Sequence, residues 1–121
     1  MTTTEPERGY LLIPADPAEP TSVLSATKDT SLAVLQKAVD GYVECISLAS
    51  DADMWCNDEG KFREDFAENP RAQALFDRAF GPGLDVIAGP VVITRGADAF
   101  GETIPLGSVE VAKLRSFFGE A

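Results

Sequence analysis

Side chains of mixed polarity alternate in Tyr42-Val-Glu-Cys-Ile-Ser-Leu48, and a second strand-like run, Asp53-Met-Trp-Cys-Asn57, follows after a short polar loop. Short runs with alternating and aromatic residues are typical of β-strands. The connecting loop has only a few residues, so we predict that the two strands pair antiparallel. The sequence Asn57-Asp-Glu-Gly60 that follows carries the residues of a tight turn.

Further strands are predicted on both sides of this hairpin. The segment Gly9-Tyr-Leu-Leu-Ile-Pro14 resembles a short buried strand, and residues 21–27 are expected to pair with it across a proline-rich loop. Residues 84–94 form the most strand-like run of the chain. Pro90 removes a backbone donor there, which requires a bend, a bulge or an edge position.

Three helices are predicted from their apolar spacing and their capping residues. The first is capped by Thr30 or Ser31 and ends at Gly41, where a left-handed residue is expected. The second follows Asn69-Pro70 and ends before Gly81, and the third is capped by Ser108 and continues through Phe118. We therefore predict an α+β fold, a small, mainly antiparallel sheet with about three helices packed on it. Residues 9–121 are expected to form a single domain after a disordered tail over residues 1–8.

The composition narrows the class of function. The 121 residues carry 20 acidic and 10 basic side chains, a formal net charge of −10. Such a charge disfavours direct binding to nucleic acid or to anionic membranes, whereas a basic protein partner remains compatible with it. Neither a long apolar segment nor a secretion signal is evident, so we expect a cytoplasmic protein.

We predict no catalytic residue, no metal site and no cofactor. Histidine is absent, and the two cysteines, Cys45 and Cys56, lack the CxxC spacing of metal and redox motifs. Both are expected to be reduced and mostly buried; a redox pair facing across the hairpin is the alternative. A divalent cation held by the carboxylates near Asn57 is a weaker alternative, because no EF-hand spacing is present.

From Leu35 onward, four segments occur in an order that resembles a known family. They are Leu35-Gln-Lys-Ala-Val-Asp-Gly-Tyr-Val-Glu44, Asn57-Asp-Glu-Gly-Lys61, Asn69-Pro-Arg-Ala72 and Asp85-Val-Ile-Ala-Gly-Pro-Val-Val-Ile93. Over residues 35–94 the chain resembles domain of unknown function 3846, a family of phages and bacteria, particularly actinobacteria. The resemblance implies a small protein of phage or actinobacterial origin with no assigned activity, and it supplies no catalytic residues.

The leading functional hypothesis is a non-enzymatic phage or prophage protein that binds a host protein, in the host cytoplasm, through an acidic face. The candidate residues are the seven carboxylates of one segment, Asp51, Asp53, Asp58, Glu59, Glu64, Asp65 and Glu68. A DNA mimic that inhibits a DNA-binding enzyme is a sharper variant of this hypothesis, and a homo-oligomer is also compatible with the sequence.

A small-ligand module is the second hypothesis. Aromatic rings can stack on a nucleotide-like ligand, and guanidinium groups can bind its phosphates. The candidate residues for such a pocket are Tyr42, Trp55, Arg71 and Arg95.

Overall fold

The computed structural model describes residues 7–120. The predicted tail over residues 1–8 therefore lies largely outside the described residues. The strands are β1 (Tyr10–Ile13), β2 (Ser22–Leu24), β3 (Val43–Ala49), β4 (Ala52–Asn57) and β5 (Val91–Thr94). The α-helices are α1 (Ser31–Val39), α2 (Pro70–Phe80) and α3 (Ser108–Phe117), and a single 3₁₀ turn spans Gly60–Phe62.

The five strands form one antiparallel sheet in the order β2-β1-β5-β4-β3. The predicted hairpin is confirmed, because β3 and β4 pair from Val43↔Asn57 to Ala49↔Ala52. The predicted pairing of the first two strands is confirmed as well. The fold is α+β.

Helices cover both faces of the sheet. Leu35 and Val39 of α1 pack on Tyr10 and Val92 on one face. On the opposite face, α2 and α3 contribute Ala72, Phe76 and Val111 to a core that includes Met54 and Ile93. Successive side chains of a strand point to opposite faces, so each strand serves both layers.

The strand predicted over residues 84–94 is wrong in its first half, since β5 begins only at Val91. Gly89 has a φ of 82° and Pro90 lacks a backbone donor, so the chain turns there instead of continuing as a strand. The backbone N–H of Ile87 donates instead to the Gln73 side chain, at 2.8 Å. Residues 84–88 therefore run along α2.

Two helix ends differ from the prediction by one residue. The left-handed residue at the end of α1 is Asp40, with a φ of 60°, and Gly41 follows it. The N-cap of α3 is Gly107, not Ser108, and its N–H donates to the Glu110 carboxylate at 2.9 Å. A side chain inside the first turn of α3 thus caps the helix.

Across residues 7–120, no helix is long and apolar enough to cross a membrane.

Candidate functional site

Exposed apolar residues and carboxylates lie on two segments that an ion pair joins near the end of β4. Lys61, after the turn that ends β4, binds Asp85 at 2.8 Å and so joins two segments that are distant in sequence. Phe62 follows Lys61 in the chain, and Leu84 and Val86 flank Asp85. Phe62 is 78% exposed and Leu84 is 67% exposed. We call this surface the acidic patch; it comprises Phe62, Leu84 and Val86 with the carboxylates Glu44, Asp58, Glu59 and Asp85.

Three of these carboxylates, Glu44, Asp58 and Asp85, act electrostatically on Lys61 or Cys56. The hydrogen bond and the charge of Asp85 raise the pKa of Lys61, and Glu44 contributes in the same direction. Burial raises the pKa of the Cys56 thiol to about 12, with further contributions from Glu44, Asp85 and Asp58. Cys56 lies near the end of β4, so these three carboxylates lie in the neighbourhood of that strand end.

Asn69 is bonded to the segment that carries Val86 of the acidic patch, because its backbone N–H donates to the Ile87 carbonyl at 2.9 Å. Its side chain is fully buried, and its amide donates to the carbonyls of Ile13 and Gly89, both at 3.0 Å. Its amide oxygen accepts from the N–H of Ala72, as predicted for the N-cap of α2. One side chain therefore joins β1, the start of α2 and the loop before β5.

Asn57 likewise joins separate segments through side-chain hydrogen bonds, here the end of α1 and the turn after β4. Its amide donates to the carbonyls of Val39 and Asp40 at the end of α1, at 3.0 and 3.1 Å. Its oxygen accepts from the N–H of Glu59 and so fixes the turn that leads into the patch. A Cβ added to Gly41 would lie 2.7 Å from this amide, which explains why glycine is needed there.

The seven predicted acidic residues do not form one face. Asp51 and Asp53 lie at the opposite end of β4 from Asp58 and Glu59. Even the nearest two, Asp53 and Asp58, are about 16 Å apart at roughly 3.3 Å per residue. A joint cation site for these two pairs is therefore not formed. The others, Glu64, Asp65 and Glu68, lie on the connection between the 3₁₀ turn and α2. Within that connection, Arg63 binds Asp65 and lowers the pKa of its carboxyl.

The two cysteines point to opposite faces of the sheet. Cys45 pairs with Trp55 and Glu44 pairs with Cys56, so the thiols do not face each other across the hairpin. The burial predicted for Cys45 is wrong, because it lies exposed on the edge strand, whereas Cys56 is buried as predicted. Local desolvation, together with the charge of Asp53 and a hydrogen bond to it, still raises the pKa of Cys45 to about 11.

The four candidate ligand residues are not brought together. Trp55 faces α1, and its indole N–H donates to the Thr94 hydroxyl at 2.9 Å. Arg71 belongs to α2 on the opposite face, and Arg95 lies beside Glu110 of α3 with an N···O distance of 3.6 Å. Tyr42 is 75% exposed before β3. An aromatic and cationic pocket built from these four residues is therefore not formed.

Arg71 instead takes part in a polar network at the C-terminal end of the chain. Its guanidinium binds the Pro14 carbonyl at 2.9 Å and the Glu120 carboxylate at 3.2 Å. Glu120 also accepts from the Thr21 backbone, and Arg115 lies 3.7 Å from the same carboxylate. Burial opposes the ionisation of Glu120, but the Thr21 hydrogen bonds and the two arginines outweigh it and keep its pKa below the usual value. We call Thr21, Arg71, Arg115 and Glu120 the C-terminal network; it attaches the end of α3 to β2 and α2.

Sequence reasoning missed the apolar part of the acidic patch. Leu84 and Val86 were assigned to a strand, and Phe62 was not singled out. The available signal was the position of Phe62, a large apolar residue within a strongly charged segment.

Comparison with known proteins identifies the family. The family model described as Domain of unknown function (DUF3846) matches residues 11–119, well beyond the residues 35–94 that carried the resemblance. No curated protein and no solved structure matches the chain significantly. The match covers nearly the whole chain, and the protein therefore belongs to the DUF3846 family.

Proposed function

We propose that the protein is a non-enzymatic binding protein that captures a basic protein partner through the acidic patch. The observation that carries the proposal is the Lys61–Asp85 ion pair, which joins two segments that each carry exposed apolar residues and nearby carboxylates. In its fuller form, the proposal has a phage or prophage protein acting on a host protein in the host cytoplasm.

The composition of the acidic patch suits a protein interface. Contiguous apolar side chains rimmed by polar groups mark interaction sites, whereas single exposed apolar residues are ordinary. Phe62 and Leu84 supply the apolar area for an anchor, and burying a side chain of this size contributes about 1.5–3 kcal/mol. The surrounding carboxylates attract a basic partner over a longer range and raise the association rate.

The rigid support of the patch adds to this argument. Two buried asparagines, Asn57 and Asn69, hold the segments beneath it, so little ordering is needed when a partner binds. A partner that covers Phe62 would also bury the neighbouring Lys61–Asp85 pair. Burying that pair removes both charges from water, so a partner must supply hydrogen bonds to it in compensation.

The apolar part of the patch is tested by affinity capture from an extract of the native host, with mass spectrometry of the captured proteins. Phe62→Ser/Leu84→Ser is expected to abolish capture of the main partner. Leu32→Ser/Phe100→Ser is the matched control, because Leu32 and Phe100 are 57% and 90% exposed elsewhere on the molecule. Loss of capture in both double variants, or in neither, would contradict the proposal.

The acidic part is tested with charge-neutralising pairs at the two ends of β4. Asp58→Asn/Glu59→Gln is expected to lower the association rate with the captured partner by about tenfold at low salt, with the difference shrinking as salt rises. Asp51→Asn/Asp53→Asn removes the same charge from the opposite end and is expected to change the rate by less than about twofold. Equal effects of the two pairs would indicate attraction by net charge alone.

The captured partner also allows a test of whether the protein mimics DNA. If the captured protein binds DNA, duplex DNA should compete with the acidic patch for it, and the competition should weaken steeply with salt. Without such competition, the partner is recognised as a protein in its own right.

A further inference from the structure

A second surface of opposite character lies on the α2 and α3 face of the sheet. The two helices leave a groove of about 510 Å³ between them, next to the β3–β4 turn. Pockets that bind small molecules commonly have volumes of about 300–1,000 Å³. The apolar lining is aliphatic and includes Leu48, Leu75, Ala79, Ile93, Leu106 and Leu114.

Each helix has more apolar residues on its inner side than it packs against the sheet, and the remaining ones line the groove. In α2, Ala72 and Phe76 are buried but Ala79 remains exposed on the same stripe. In α3, only Val111 is buried, and Leu114 is half-buried. A cleft therefore lies between the helices, and Ile93 of the sheet lies at its bottom.

The groove is lined by as many basic as acidic side chains, although the chain as a whole is strongly acidic. Four charged residues line it, Asp51, Arg78, Glu110 and Lys113. Glu110 is already engaged, because its carboxylate accepts from Gly107 and pairs with Arg95. Within residues 7–120, Arg78 and Lys113 form no ion pair. The guanidinium of Arg78 lies 5.4 Å from the Phe117 ring, which leaves its N–H donors free for a ligand.

We propose that this groove binds an aliphatic monocarboxylate, with its alkyl chain along the apolar floor and its carboxylate between Arg78 and Lys113. The aliphatic lining suits an alkyl chain, since it offers no aromatic ring on which a base could stack. Arg78 comes from α2 and Lys113 from α3, and both line the same groove. Asp51, on the β3–β4 turn, also lines the groove and disfavours a second negative charge, which favours a monocarboxylate over a dianionic phosphate monoester.

The probe is sodium octanoate, followed by isothermal titration calorimetry and by methyl chemical shifts of Leu48, Leu75, Ile93 and Leu114. Octan-1-ol is the neutral comparison, and hexanoate and decanoate test the alkyl chain. We expect octanoate to bind at least about tenfold more tightly than octan-1-ol, because the alcohol cannot form charge-assisted hydrogen bonds. Each added methylene should raise the affinity by up to about fourfold.

Two variants locate the site. Arg78→Gln/Lys113→Gln should weaken octanoate binding at least about tenfold, whereas Lys28→Gln/Lys37→Gln, with the same charge change on the α1 side, should change it less than about twofold. Ala79→Trp fills the groove from an exposed position and should abolish binding, and the melting temperature checks that this variant is folded.

Several results would overturn the proposal. Equal binding of octanoate and octan-1-ol would show a neutral apolar groove, and methyl shifts elsewhere would place the carboxylate outside it. The absence of octanoate binding, with a concentration-dependent dimer in native mass spectrometry that Ala79→Trp disrupts, would assign the groove to a second copy of the chain. Each outcome is independent of the acidic patch, because Phe62→Ser/Leu84→Ser and Asp58→Asn/Glu59→Gln leave the groove residues unchanged.

Discussion

The acidic patch and the α2–α3 groove differ in charge and also in how they are built. The patch rests on segments that buried side-chain amides bind from below, with Asn69 alone joining β1, α2 and the loop before β5. The groove is bordered by α3, whose only fully buried side chain is Val111 and whose end is attached by the C-terminal network.

This difference suggests different kinds of binding. A surface supported by saturated, buried hydrogen bonds is held in one conformation, which suits the docking of a preformed partner. A groove with one wall attached through ion pairs can adjust its width to ligands of different length. Changes beneath the patch and changes at the end of α3 should therefore have separable effects.

The largest effect is expected from Asn69→Ala. This change removes the N-cap of α2 and leaves two buried carbonyls, those of Ile13 and Gly89, without their donor. We expect a loss of about 2–4 kcal/mol in the free energy of unfolding, measured by urea denaturation. Partner capture by the acidic patch should fall with it.

Thr30→Ala is the matched control at the start of α1. The Thr30 hydroxyl accepts from Thr27, the preceding turn, and forms no capping bond with α1. Its loss should cost less than about 1 kcal/mol. If the two variants were equally stable, Asn69 would be an ordinary cap and the acidic patch would lose its proposed anchor.

The role of Asn69 shows where sequence reasoning is sufficient and where it stops. The Asn69-Pro70 pair predicts the cap of α2, because capping depends on residues adjacent in the chain. The bonds to Ile13 and Gly89 come from segments distant in sequence, and no local pattern predicts them. The same limit explains the error over residues 84–88, where α2 provides the hydrogen bonds that a neighbouring strand was expected to supply.

A smaller effect is expected from Glu120→Gln, which weakens the C-terminal network. The neutral side chain keeps one acceptor for Thr21 but loses its attraction to Arg71 and Arg115, so we expect a loss of about 1 kcal/mol at neutral pH. The groove should respond to this change through octanoate affinity, while partner capture by the acidic patch should not. Glu64→Gln, at an exposed position, is the control.

The pH dependence gives a second test of Glu120. Its pKa in the folded protein lies below the usual value of 4.5, so its ionised form contributes stability above pH 4.5. This contribution is lost as the pH falls through the folded-state pKa. The stability difference between wild type and Glu120→Gln should therefore be constant at neutral pH and disappear in acid, and a difference that grew in acid would contradict the network.

The sequence predicted only a few of the residues that form the two candidate sites. Asp58 and Glu59 were identified from charge density, because a run of carboxylates is visible without a fold. The segment of Phe62 and that of Leu84 and Val86 are joined through the Lys61–Asp85 pair, which spans 24 residues. Arg78 and Lys113 were not predicted at all, since they line one groove only when α2 and α3 pack on the same face of the sheet.

The smallest effect is expected at the two thiols, which report on the two sides of the β3–β4 hairpin. Alkylation of exposed Cys45 should be slow at pH 8, because its pKa is raised to about 11 by desolvation and by Asp53. Asp53→Asn removes the carboxylate charge and should accelerate this reaction by roughly two- to fivefold.

Cys56, studied in a Cys45→Ser variant, lies beneath the acidic patch and should react only when that region opens. Asn69→Ala should therefore increase the alkylation rate of Cys56, whereas Cys45 in a Cys56→Ser variant should be unaffected, because it lies exposed on the other face. If Cys45 and Cys56 were alkylated at comparable rates in the otherwise native chain, the region beneath the patch would be as accessible as an exposed edge strand. The proposed rigidity of the patch would then be wrong.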